Sequence, residues 1–429
     1  MSTSPAWRRF ADNHRTELYL FAFALLAYAF ASWGMLLHQS KAPHFVWQAD
    51  AFLHGRLALD QEPPNLNDWV LRDGRWYVSF PPFPAVLMMP FVALWGLAFN
   101  DTAFTLVFAA LNVALMYRLL RSFGERGEEG VTRTSADDVW LALLYGFGTL
   151  ALTCGIRGEV WFTAETIGVT CTLCYLLAGL AARRPAWAGF FWAIGTITRT
   201  PLLFSVVFVA LKAVFTEAKP AERPANEPKV SVERFKALLA DAGHRALVLK
   251  RAVQFALPAL AVGVPMAIAN YVRFGSPSEF GHSFLYANRV NADIARHGLF
   301  SLVYLERNLH AAFTRLPTIS TQPFQLGFDG HGMSILVTTP LFLLLLWPAV
   351  RPRLHRVLWL VVAAVALPGF LYQNDGWFQF GFRFSLDWTP YLIALLSLGG
   401  RPLSRGFWAL GWAGVVVNGW GAVVFNRFF

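Results

Sequence analysis

Asp50 lies in the stretch HFVWQADAFLHGRLALD (His44–Asp60), surrounded by Phe45, Trp47, Phe52 and Leu53. A carboxylate among such neighbours is costly unless it is paired or functional. Desolvation raises its proton affinity, which suits a general base. Trp47, Asp50 and His54 fall at i, i+3 and i+7, one face of a short helix that Gly55 is placed to end. The competing reading is a carboxylate paired with Arg56 or His54 that only orients a loop. Asp68 in PPNLND and Asp73 in RDGR sit among turn formers, and Asp73-Gly74 is itself a turn signal. Asp68 is the second candidate base, and a structural role is the alternative for both. Tyr77, beside Trp76, suits the aromatic belt at a membrane interface and the binding of a substrate there.

The arginines suggest a complementary role. FGFRFSLDWTP (Phe380–Pro390) holds Arg383 four residues before Asp387, with aromatics around both, and IRGEVWF (Ile156–Phe162) holds Arg157 and Glu159. A guanidinium fork in aromatic surroundings at a membrane surface is suited to gripping phosphate. Anchoring ion pairs within each segment are the competing reading. Glu279 and His282 follow a turn signal at Gly275-Ser276-Pro277, and FDGHG (Phe328–Gly332) presents His331 either in a ligand loop or in a hairpin turn. Metal and nucleotide signatures (D-x-D, Walker A, H-E-x-x-H) and the G-x-S-x-G elbow do not occur. No histidine cluster has zinc spacing. Cys171 and Cys174 form a C-x-x-C inside an apolar stretch, where two small packing residues explain it better than a redox pair. No cofactor is expected, and nothing calls for a divalent metal.

The elements that must position these groups are membrane helices. The 429 residues are 56% hydrophobic and 14% charged, against about 25% charged in soluble domains, and the mean hydropathy is +0.44. The apolar runs are continuous, so helices rather than a barrel are expected. The net charge of +10 raises the possibility of nucleic-acid binding. Its arginines and lysines lie largely in short loops between spans, as topology control requires, so no nucleic-acid partner is expected. With a cytoplasmic N-terminus, about eleven spans follow, near 18–37, 102–120, 138–155, 160–182, 186–198, 201–215, 252–271, 333–350, 357–372, 389–399 and 406–425. Residues 38–101 form a first extracytoplasmic loop, within which Pro81–Asp101 is a proline-interrupted interfacial helix. Residues 216–251 read as a cytoplasmic linker and 272–332 as a second long outer loop. The chain is thus a single integral domain of the plasma (inner) membrane. Its acids, histidines and unexplained arginines converge on the outer face.

Several segments resemble the GT-C superfamily of polytopic glycosyltransferases, whose members include the protein O-mannosyltransferases and the lipid A aminoarabinose transferases. These are a first span followed by QADAFLHGRLALD, the proline-led DGRWYVSFPPFPAVLMMP (Asp73–Pro90), and the segments NYVRFGSPSEFG and FGFRFSLDWTP. Two features depart from many members: Ala51, not a second acid, follows Asp50, and no large soluble C-terminal domain is expected. The resemblance implies an all-α bundle, a polyprenyl-phosphate sugar donor, a lipid, glycan or protein acceptor, and inversion at the anomeric carbon. Phosphate is already a good leaving group, so one base and cationic stabilisation suffice. Asp50 is the expected base with Asp68 second. Arg383 and Arg157 are expected on the donor phosphate, and Glu159, His54, Tyr77 and His331 around the substrates. The alternative is a transporter or flippase of a lipid-linked sugar. That class usually carries polar groups at the bilayer midplane and repeated halves, and no repeat is visible here.

Overall fold

The computed structural model describes residues 12–125, 133–180, 182–217, 231–285, 288–322 and 324–425. Arg8, Arg9, Arg126 and residues 218–230 of the expected linker lie outside them. Among the described residues, six helices are long and apolar enough to cross a membrane: Arg15–Leu37, Asp101–Glu125, Val160–Gly179, Ala242–Phe274, Arg353–Leu371 and Arg405–Val424. The other expected spans are shorter or broken. Pro185–Thr196 has 12 residues and Thr389–Leu398 has 10, short of the roughly 20 that span a bilayer unaided. The stretch expected at 138–155 divides into Ser135–Phe147 and Ala151–Gly155. That at 201–215 begins as a 3-10 segment, Thr200–Ser205, before Val206–Phe215.

The stretch expected at 333–350 is one α-turn, Ile335–Thr338, followed by the 3-10 segment Pro340–Leu346. Pro340 lacks the N–H that would continue an α-helix. The Thr338 carbonyl, at the end of the α-turn, accepts from Asn418 Nδ2 at 2.6 Å. Irregular backbone at membrane depth needs such cover, and Thr338 and Leu341 are buried.

Polar contacts join the helices where apolar packing cannot distinguish helix from lipid. Asn112 donates to the Thr166 carbonyl at 2.8 Å and accepts from Thr170 at 2.6 Å. Tyr28 donates to the Gly146 carbonyl at 2.8 Å, tying the first span to the bundle.

The 33-residue helix Ala242–Phe274 is about 50 Å long, more than enough to cross a hydrocarbon core about 30 Å thick. Near its start, Arg251 donates to the Ala213 and Thr216 carbonyls at 2.7 and 2.6 Å. Arg353 reaches the Phe215 carbonyl on the same side. At its far end Gly275, with φ +76°, caps the helix in the left-handed conformation, and Phe274 packs against Tyr77. The described end of the expected 216–251 linker is helical, as Val232–Ala240 and the first turns of Ala242–Phe274.

The two loops expected to lie outside are structured. The first carries the helix His44–Leu53, the hairpin Trp69–Arg72 with Arg75–Val78, and the 13-residue helix Phe83–Trp95. Asp73 and Gly74, with φ of 51° and 72°, make the hairpin turn, the pairing of positive φ that matches strand twist. The second loop carries Asn288–His297, Leu305–Phe313 and a hairpin of Thr318–Thr321 with Phe324–Gly327. FDGHG follows this hairpin and does not form its turn. Isolated bridges between Val70 and Leu285 and between Phe300 and Tyr372 stitch the two loops together and to the helices.

Candidate functional site

Asp68 stands where both outer loops meet the helices. Its backbone is left-handed, φ +61°, a conformation aspartate adopts more readily than most residues. Ser79 Oγ donates to its carbonyl at 3.1 Å. Trp161, in the first turn of Val160–Gly179, donates its indole N–H to Asp68 Oδ2 at 2.8 Å. Oδ1 has no protein partner among the described residues. Burial pushes the Asp68 carboxyl above the usual carboxylate range, and the Trp161 bond and the Arg383 charge pull it partly back.

Asp68, Trp161 and Asn374 line two cavities at once. The first, about 470 Å³, is walled by Arg199, Arg383, Asp387 and His282 on its polar side. Its apolar side comes from Leu203, Phe204, Val365 and Pro368. Leu203 and Phe204 are exposed, on a short apolar helix, so this wall continues to the lipid-facing surface. The second cavity, about 750 Å³, is walled by His38, Lys41, Asn67, Arg157, Glu159 and Trp377. Both volumes fall within the range of small-molecule sites.

A buried network holds the cations of the first cavity. Arg383 donates Nη1 to Glu165 at 2.8 Å and Nε to the Gly376 carbonyl at 3.1 Å. Arg199 grips Asp387 with Nε and Nη2, at 2.9 and 2.7 Å. The pairing therefore crosses segments, and Arg383 and Asp387 do not form the anchoring pair that their spacing suggests. Arg383 Nη2 and Arg199 Nη1 keep no protein partner among the described residues. Burial lowers the His282 pKa to about 4, so this imidazole is neutral at pH 7.

The other expected residues are distributed unevenly. Asp50 lies on the outer side of the His44–Leu53 helix, with side-chain exposure of 28%, 3.7 Å from His54 and 3.9 Å from Arg56. Neither Asp50 nor His54 lines the two cavities. The inner face of that helix, with Phe45, Val46 and Ala49, is what packs inward. Tyr77 lines a separate outer cleft with Arg56 and Arg273. Arg157 lines only the second cavity, apart from Arg383, where it donates to the Phe425 carbonyl and lies over the Phe425 ring. Glu159 lines that cavity too. His331 pairs with Asp375 at 2.5 Å behind Trp377.

Glu165, Trp161 and Asn374 were not among the sequence candidates. Glu165 had a readable signal, an acid inside an apolar helix. Trp161 and Asn374 had none, because their role comes from meeting Asp68. Among the described residues no group of three or more His, Cys, Asp or Glu is placed to hold a metal ion. No protein-family model, curated protein or solved structure matches this chain.

Proposed function

We propose that the protein is an inverting membrane glycosyltransferase of GT-C type that moves a sugar from a polyprenyl-phosphate donor to an acceptor hydroxyl. The reaction takes place at the extracytoplasmic side of the inner membrane, with Asp68 as base. In this reading the short and broken helices complete an eleven-crossing bundle. The observation that carries the proposal is a carboxylate of raised proton affinity, with one free oxygen, common to a cation-bearing cavity and a polar one.

The chemistry follows from that arrangement. The donor occupies the first cavity, its chain along Leu203, Phe204 and Pro368 and its phosphate against the open nitrogens of Arg383 and Arg199. The acceptor hydroxyl enters from the second cavity and gives its proton to Asp68 Oδ1. The acceptor oxygen forms the new bond to the anomeric carbon on the face opposite the phosphate. The electron pair of the breaking C–O bond leaves on the phosphate oxygen, where the two guanidiniums stabilise it. Glu165 and Asp387 hold the guanidiniums in position and offset their charge before substrate arrives.

Transfer from a defined polyprenyl-phosphate sugar by the purified protein tests this. Asp68→Asn keeps the side-chain shape and a residue that accepts the left-handed backbone. It is expected to lower the rate by about 10²–10⁴, the range for a lost general base, while Asp50→Asn stays within about threefold of wild type. Full activity of Asp68→Asn removes the assignment. Movement of intact lipid-linked sugar across the membrane without transfer supports a flippase instead.

A further inference from the structure

We infer that the second cavity is a carbohydrate site, so that the acceptor hydroxyl belongs to a sugar and not to a protein side chain or a lipid headgroup. This rests on the transferase reading and narrows it. Three observations carry it.

First, the wall presents open hydrogen-bonding groups at several angles. The Glu159 carboxylate, the Asn67 amide, the Lys41 ammonium and the Asn374 Nδ2 have no protein hydrogen bond among the described residues, and all line the cavity. Amides and carboxylates that donate or accept in pairs match sugar hydroxyls, which do both. Second, the rim carries a fixed aromatic plate. Trp377 is 49% exposed yet held from behind, with the His331 ring 4.8 Å away. Gly330 leaves room for the indole, since any Cβ there would collide with it. His331, itself locked by Asp375, is thus a positioning residue for Trp377. A rigid half-exposed indole suits the C–H face of a sugar ring. Third, the fixed charges balance: Lys41 and Arg157 against Asp68 and Glu159. The wall thus offers no excess of positive charge to hold an anionic headgroup, and its mixed charges and amides suit a neutral polyhydroxylated ring.

Binding is read without donor, so it does not depend on transfer. The purified full-length protein in lipid nanodiscs is presented with the methyl glycosides of glucose, galactose, mannose and arabinose, and with a neutral Ser/Thr hexapeptide. Saturation-transfer NMR reports contact. At least one glycoside is expected to bind, about tenfold more weakly in Trp377→Ala and Glu159→Gln, a change of about 1.4 kcal/mol. Trp377→Phe, which keeps a ring, is expected to bind within about threefold of wild type and guards against a folding defect in the alanine variant. The inference fails if no glycoside binds, if binding ignores both substitutions, or if the hexapeptide binds in their place. Peptide binding with Asp68→Asn inactive leaves the transferase standing and removes only the sugar acceptor. Glycoside binding sensitive to Trp377 with Asp68→Asn fully active keeps the site and removes the mechanism.

Discussion

Asp68 and Asp50 both lie in the loop expected to be the first outer one, and their surroundings differ. Asp50 has apolar neighbours in sequence, but these point inward while the acid points out to His54 and Arg56. Asp68 sits in a polar, turn-rich segment, yet its carboxylate is enclosed because Trp161, 93 residues away, closes over it. Local composition therefore misleads at Asp50 and understates Asp68. The acid was legible as a candidate, but its enclosure was not, since no local pattern encodes a contact of that range. The same bond yields a pH prediction. In the proposed reaction the active form of Asp68 is the carboxylate, so the acid limb of kcat/KM is expected to follow its pKa in the free protein. The Trp161 N–H favours the charged form, so Trp161→Phe raises the pKa and moves the acid limb to higher pH. Activity is expected to recover toward wild type as pH rises further. A uniform loss at every pH, with the limb unmoved, would rule out this role for Trp161.

Helix positions followed closely from the apolar runs, because burial in lipid demands long apolar helices and little else explains them. Helix continuity did not follow. Ser135–Phe147 stops before Ala151–Gly155, and Ile335–Thr338 gives way to 3-10 geometry, where Asn418 of another helix covers the Thr338 carbonyl. That cover is tertiary, and the one local hint was Pro340 after a single turn. Pairing of helices was also hidden. Pro185–Thr196 packs along Ala242–Phe274 through Gly189, where an added Cβ would strike the Phe255 carbonyl, with Trp192 and Phe255 rings 5.4 Å apart nearby. Close backbone approach through small residues is how membrane helices gain packing energy. Gly189→Val is expected to destabilise the protein by about 1–3 kcal/mol, seen as a lower midpoint in thermal unfolding followed by size exclusion. Gly263, on the partner helix, has nothing within 4 Å of its would-be Cβ. Gly263→Ala is expected to leave the midpoint unchanged or raise it slightly, given the helix preference of alanine. Equal midpoints for wild type and Gly189→Val would show that this helix pair does not depend on the close approach.

Across the whole molecule the two faces differ in what their charges do. On one face, Arg133 donates to the carbonyls of Leu396, Ser397 and Arg401, and Arg251 and Arg353 to those that end Val206–Phe215. These arginines cap helix C-termini, where a cation is favoured, and in the proposed orientation they lie on the cytoplasmic side. On the other face, acids and cations gather around the two cavities. The proposed function requires that second face to be extracytoplasmic, and the native cysteines make a labelling test clean: Cys154 and Cys171 are buried and Cys174 is partly buried. Asp60, exposed and in one cleft with Arg273, and Lys236, exposed on Val232–Ala240, stand at opposite ends of the Ala242–Phe274 helix. In intact cells a membrane-impermeant maleimide is expected to label Asp60→Cys and to leave Lys236→Cys unlabelled until the membrane is permeabilised. The reverse pattern would put Asp68 and both cavities on the cytoplasmic side. A soluble nucleotide-sugar would then be accessible to the site, and the case for a lipid-phosphate donor delivered at the outer face would fail even if Asp68 proved essential.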